Sequence, residues 1–173
     1  MNVLTSVHQC ALPLDAALSA HASRGAYTDC YAVVLPRVVT QAEYVEAFYT
    51  TAVFKVERWL IARFLSRPST DSQARQLAQG SLSNFAAWSV EQQQPNQLVL
   101  AAGRTRSWLM ASANPGSGSP STKLYFGSAV VPRRSGGTGE SAMGWQFRAM
   151  LGFHKLYSRV LLSAASRRLC ASA

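Results

Sequence analysis

Residues 145–169, WQFRAMLGFHKLYSRVLLSAASRRL, carry the pattern that decides the fold. At about 100° per residue, Arg148, Lys155, Arg159, Ser163 and Ser166 fall on one side of a helix. Phe147, Met150, Phe153, His154, Tyr157, Val160, Leu161, Ala164 and Ala165 fall on the other, with Leu151 at the border. An apolar stripe of that length must bury itself against another surface. The stretches before it indicate what that surface is.

Between residues 85 and 131 the apolar period is two rather than three or four. FAAWSVEQQ (85–93), QLVLAAG (97–103), TRSWLMASA (105–113) and TKLYFGSAVV (122–131) read as four strands. Pro95-Asn96 and Gly103-Arg104 are the turns that join the first three into an antiparallel meander. ANPGSGSPS (113–121) reads as a hairpin loop, and RRSGGTGES (133–141) as a linker into the terminal helix. AYTDCYAVVL (26–35) is a fifth strand, closed by Pro36, with Tyr27, Asp29, Tyr31, Val33 and Leu35 sharing a face.

Two helices separate that first strand from the meander. Thr40 and Glu43 have the spacing of a capping box, in which each side chain satisfies the other's free backbone donor. Val45, Phe48, Tyr49, Ala52, Val53, Val56, Trp59, Leu60 and Phe64 then recur at three and four, with Thr50-Thr51 as a weak point where the helix breaks in two. Thr70 and Gln73 repeat the box for the next helix, which Gly80 caps. Residues 1–24 carry little pattern and are expected as a loose N-terminal arm, leaving 25–173 as a single α+β domain. The predicted fold is α+β: a curved antiparallel sheet with two helices after the first strand and a long C-terminal helix packed on the sheet.

This order of elements over roughly 26–169 resembles the helix-grip arrangement of the START-like (SRPBCC) superfamily. YTDCYAVVLP followed by FYTTAVFKVERWLIARFL is also similar to the bacterial DUF2867 family placed near it. The resemblance implies a bent sheet that grips the terminal helix and leaves an apolar cavity between them. It departs in strand number, since five strands are read here and the helix-grip sheet usually has six or seven.

Composition narrows the function classes. The chain has 173 residues, 48% of them hydrophobic and 14% charged, which is a globular composition. No apolar run reaches the ~18 residues of a membrane span. The start lacks a basic n-region, and His8, Gln9 and Asp15 interrupt its apolar residues, so a secretory leader is not predicted and a cytoplasmic location is expected. Cys10, Cys30 and Cys170 are odd in number and widely spaced, so neither a zinc site nor a disulfide framework is indicated. GTGES and GSGS lack the lysine and the context of a phosphate loop, and no GxSxG elbow occurs. No metal and no cofactor is predicted. The net charge is +9, and seven basic residues against the single Glu140 lie in the last 41 residues.

Three functions compete. The first is a small binding module that holds an apolar or amphipathic molecule between the sheet and the terminal helix, with Arg106, Trp108, Tyr125, Met150, His154 and Tyr157 as ligand contacts. Arg106 supplies a fork for an anionic head group; Trp108 shares its strand face. The second is a basic interaction protein that docks nucleic acid or an anionic membrane through Arg148, Lys155, Arg159 and Arg167. The third is a cyclase, hydrolase or isomerase in which His154 works with Asp29. Each residue has a structural alternative: a core histidine bonded to a carbonyl or a tyrosine hydroxyl, a salt-bridged or solvent-exposed Asp29, a surface Arg106–Trp108 pair. Glu57 faces no basic residue at helical spacing and reads as surface electrostatics.

Overall fold

The computed structural model describes residues 6–114, 119–132 and 144–171, and the side chains of all these except 144–155. In chain order the elements are β1 (His8–Gln9), α1 (Ser19–Ala22), β2 (Tyr27–Leu35), α2 (Gln41–Tyr49), α3 (Ala52–Leu65), α4 (Asp71–Ala78), β3 (Asn84–Phe85), β4 (Trp88–Gln94), β5 (Gln97–Ala102), β6 (Thr105–Ala113), β7 (Thr122–Val130) and α5 (Gly144–Ala171). The strands form one curved, unclosed antiparallel sheet in the order β1-β2-β7-β6-β5-β4-β3, and α5 packs against it. The α+β class read from the sequence is the one observed.

Local chemistry sets the helix ends. The Thr40 hydroxyl accepts from the Glu43 amide at 3.2 Å and the Thr40 amide donates to Glu43 Oε2 at 2.8 Å, which completes the first capping box. Thr70 and Gln73 do the same at α4. The Thr50-Thr51 step ends α2 and begins α3. Thr51 Oγ1 accepts from the Phe54 amide at 3.2 Å and donates to the Phe48 carbonyl at 3.0 Å, so it serves as the N-cap of α3. Arg168 on α5 donates to the Thr50 carbonyl at 3.1 Å and fastens this corner to the terminal helix.

Among the described residues there are seven strands where five are read from the sequence. The stretch 85–93 is a tight hairpin rather than one strand: Phe85 pairs with Trp88, and Ala86 turns the chain with φ of 51°. Alanine gives no signal for a left-handed turn, and a two-residue strand is too short to show a period. The other added strand, β1, comes from the N-terminal arm and pairs with β2 through His8↔Ala32 and Gln9↔Tyr31.

The sheet has two covered faces. On one, Tyr31, Val33, Leu35, Leu98, Leu100, Leu109, Leu124 and Phe126 meet Tyr44, Val45, Phe48 and Tyr49 of α2 and Leu161, Leu162, Ala165 and Leu169 of α5. Each buried leucine of α5 contributes about 2 kcal/mol of transfer free energy. On the opposite face a second cluster gathers Cys30, Val99, Trp108, Met110 and Ala129 from the sheet with Ala16 and Leu18 from the arm. Residues 6–24 of the arm expected to be loose lie against the sheet, with Leu18 fully buried. Gln97 ties them down: its Oε1 accepts from the Ala17 amide at 2.7 Å and from Trp108 Nε1 at 2.8 Å, while its Nε2 donates to the Asp15 carbonyl at 2.8 Å. Trp108 lies over Gly127, its cross-strand partner, where an added Cβ would stand 2.8 Å from the indole and 2.9 Å from the Asp29 carbonyl. Only glycine fits that approach.

Candidate functional site

The face of α5 read from its sequence leads to a groove at its side. Ser6 and Val7 of the arm, Val53 of α3, and Arg159, Val160, Ser163, Ala164, Ser166 and Arg167 of α5 enclose about 570 Å³. Val7, Val53, Val160 and Ala164 make an apolar wall. Arg159 and Arg167 bring two guanidinium groups, two helical turns apart on the same helix, to one cleft. Among the described residues that line it there is no carboxylate. The Arg159 guanidinium lies 5.6 Å from the centre of the Tyr31 ring, which orients it while leaving it exposed.

Beside Tyr31, on the helix-facing side of β2, is the buried carboxylate of Asp29. Its Oδ1 accepts from the Ser128 hydroxyl at 2.6 Å and the Ser128 amide at 3.1 Å across the β2–β7 pair. Burial, and then the Asp29 charge, push the Tyr31 hydroxyl up to about 12, against the opposing pull of Arg159. Tyr31 is therefore a neutral phenol at neutral pH. Asp29 is a strand-to-strand anchor in this arrangement. The side chain of His154, its intended partner, lies outside the described residues, as do those of Met150, Arg148 and Lys155.

The remaining sequence-predicted contacts divide between the two faces of the sheet. Tyr157 is on the helix side, where its hydroxyl donates to Glu57 Oε2 across the α3–α5 contact. Burial pushes the Glu57 carboxyl up and the Tyr157 hydroxyl draws it back. Burial and then the Glu57 charge raise Tyr157 well above the ordinary tyrosine range. This pair corrects the reading of Glu57 as surface electrostatics. A hundred residues separate the two, so no local spacing signals it.

Arg106, Trp108 and Tyr125 lie on the opposite face and do not join Tyr157. The single ligand set spanning Arg106, Trp108, Tyr125 and Tyr157 is thus not assembled in one cavity. Trp108 is completely buried and spends its indole N–H on Gln97. Tyr125 packs beside it with ring centres 6.0 Å apart, under Lys123 at 5.1 Å. Arg106 pairs with Glu91, which also accepts from His21 Nε2 at 2.7 Å, so its charge is already matched within the fold. With Arg24, these three residues border a smaller cleft of about 240 Å³.

Among the described residues no group of three or more His, Cys, Asp and Glu is placed to hold a metal ion. No described helix is long and apolar enough to cross a membrane. Comparison of the chain with protein-family models, with curated proteins and with solved structures finds no match in any of the three.

Proposed function

We propose that this chain is a small binding module that holds an amphipathic molecule with an anionic head group along α5. The observation that carries the reading is the groove of about 570 Å³ that combines an apolar wall with Arg159 and Arg167. Its apolar residues suit a hydrocarbon or ring body, and two guanidinium groups suit a carboxylate or phosphate. The order strand, helices, strands, terminal helix supports the likeness to START-like helix-grip proteins, in which an apolar cavity between the sheet and the terminal helix is the expectation. Titration with dodecanoate and with dodecyl phosphate, read by calorimetry, tests it. The Arg159→Gln/Arg167→Gln double variant is expected to bind at least about tenfold more weakly, as loss of charge-assisted hydrogen bonds requires. Equal affinity in the wild-type chain and the double variant would remove the groove from consideration.

A second reading, docking on an anionic membrane, is favoured by α3. Its Val56, Trp59 and Phe64 are 60, 64 and 73% exposed and lie with Leu60 along one side of the helix, and Leu65 at its end is exposed as well. Arg63 and Arg67 lie in the same stretch, and Leu156 of α5 is exposed as well. An exposed Trp and Phe with flanking arginines suits a lipid headgroup boundary better than nucleic acid. The chain is then expected to sediment with phosphatidylglycerol vesicles and not with phosphatidylcholine vesicles. A Trp59→Ser/Phe64→Ser variant should lose about tenfold in partitioning. Undiminished sedimentation of that variant would exclude α3 as the docking element, and salt-sensitive retention on DNA without vesicle binding would favour nucleic acid.

The enzyme reading rests on Asp29 and His154. Of these, Asp29 is engaged by Ser128 across the sheet, which supports a structural use of the carboxylate and ranks catalysis last.

A further inference from the structure

The N-terminal arm meets the sheet at two cysteines. Cys10 follows β1, and its amide donates to the Cys30 carbonyl at 3.0 Å, extending the ladder set by His8↔Ala32 and Gln9↔Tyr31. The two residues are thus cross-strand neighbours. Residues opposed in this way across an antiparallel pair stand about 5.5 Å apart at Cα, inside the range that a disulfide spans. The thiols are already in contact, with Sγ to Sγ at 3.5 Å. Drawing them to bonding distance requires the sulfurs to close by about 1.5 Å, within reach of small χ1 adjustments and without moving the strands. Cys30 is 2% exposed, whereas Cys10 is half-buried and open to solvent on one side. Cys170, the third thiol, lies near the end of α5 and packs at the margin of the core on the helix-facing side of the sheet.

We propose that Cys10 and Cys30 are a thiol–disulfide modification site that fastens the N-terminal arm covalently to the sheet. The oxidant is hydrogen peroxide. The Cys10 sulfur, at the half-buried position, attacks the peroxide oxygen and gives up its thiol proton. The O–O bond breaks, Cys10 becomes a sulfenic acid, and the leaving hydroxide takes up a proton. Cys30 Sγ then displaces the second hydroxide from the Cys10 sulfur, and the Cys30 thiol proton leaves with it as water. Two thiols lose two electrons and two protons in all, and one peroxide is reduced to two waters. Burial and the adjacent Cys10 hold the Cys30 thiol above its ordinary range, so first attack falls to Cys10, and the 3.5 Å contact places Cys30 Sγ to resolve it. The bond closes a loop that contains α1, Ala16, Leu18 and the backbone groups held by Gln97, so oxidation locks the cover over Trp108.

The test uses the full chain, fully reduced and then exposed to a stoichiometric amount of hydrogen peroxide. Peptide mapping without reductant is expected to join the Cys10 peptide to the Cys30 peptide, with the intact mass falling by two hydrogens and Cys170 still open to alkylation. Closing a loop of this length shifts the folding equilibrium on the order of a hundredfold toward the native state, read as a higher denaturant midpoint in the oxidised chain. The Cys10→Ser variant, altered only at the half-buried position, should fold as before and show neither the cross-link nor the midpoint shift. Recovery of Cys10 as sulfinic acid, or of dimers linked through Cys170 with Cys10 and Cys30 still free, would overturn the proposal.

Discussion

Trp108→Ala lowers the unfolding free energy by about 4 kcal/mol, the range for removing a fully buried tryptophan from a packed site. Trp108 has no exposed surface, and it is the largest fully buried side chain among the described residues. It fills the space between β6, Gly127 on β7 and Leu18 on the arm. Its deletion leaves a void that the sheet cannot collapse to fill, because paired strands hold their spacing. The loss extends beyond the cavity. Gln97 Oε1 keeps the Ala17 amide but loses the indole N–H that fixes its orientation, so the arm loses packing and part of its hydrogen-bond anchor together. Hydrogen exchange of the amides in 15–25 is therefore expected to accelerate more than that of the helix-facing strand amides. A loss below about 1 kcal/mol, or exchange that rises evenly over the chain, would show that the arm is not held by this residue.

Arg58→Met is expected to destabilise by about 3 kcal/mol, since it strands the partners of a buried cation. Arg58 is 8% exposed at the centre of a network between α3 and the start of α4. Its Nη1 donates to Asp71 Oδ1 at 2.6 Å, its Nε to the Ser69 hydroxyl at 3.0 Å, and its guanidinium lies 5.9 Å from the centre of the Phe85 ring. Lys55 holds the other carboxylate oxygen of Asp71 at 2.7 Å. Hydrogen bonds from Lys55 and Arg58 keep the Asp71 carboxyl below its ordinary value. A depressed carboxylate adds stability that is complete above its unfolded pKa and is lost as pH falls through the folded one. The wild-type chain should therefore lose part of its stability in acid through this group, and Arg58→Met should show a shallower acid dependence. Chemical denaturation at neutral pH and at acid pH gives both quantities. An unchanged midpoint, or an unchanged slope with pH, would contradict the role assigned to Arg58.

Both residues illustrate how the sequence can be read correctly in pattern and not in place. Arg106, Trp108 and Met110 do share a strand face, as their period of two requires. Alternation states which residues lie together; it does not state which side of the sheet the helices will cover. In the fold Leu18 and Ala16 of the arm cover that face, and α2 and α5 cover the other. Arg58 sits in KVERW among charges, beside a stripe of Val56, Trp59, Leu60 and Phe64 that reads as the inward face of a continuous helix. The break at Thr50-Thr51 re-aims α3, so that Phe54 and Arg58 point inward and the stripe points out.

What the sequence by itself determined was short-range. Thr40 with Glu43 and Thr70 with Gln73 specified two helix starts, Pro95-Asn96 and Gly103-Arg104 specified two hairpins, and the period of 145–169 specified the terminal helix. Each depends on residues within one or two turns of chain, whose backbone donors and torsions are satisfied locally. The tertiary structure alone decided that Glu57 meets Tyr157, that Cys10 meets Cys30, and that Arg159 and Arg167 share a groove with Val7 and Val53. Those contacts join segments 20 to more than 150 residues apart in sequence. Nothing local fixes them, because they exist only once burial of both sheet faces has chosen which surfaces turn toward each other.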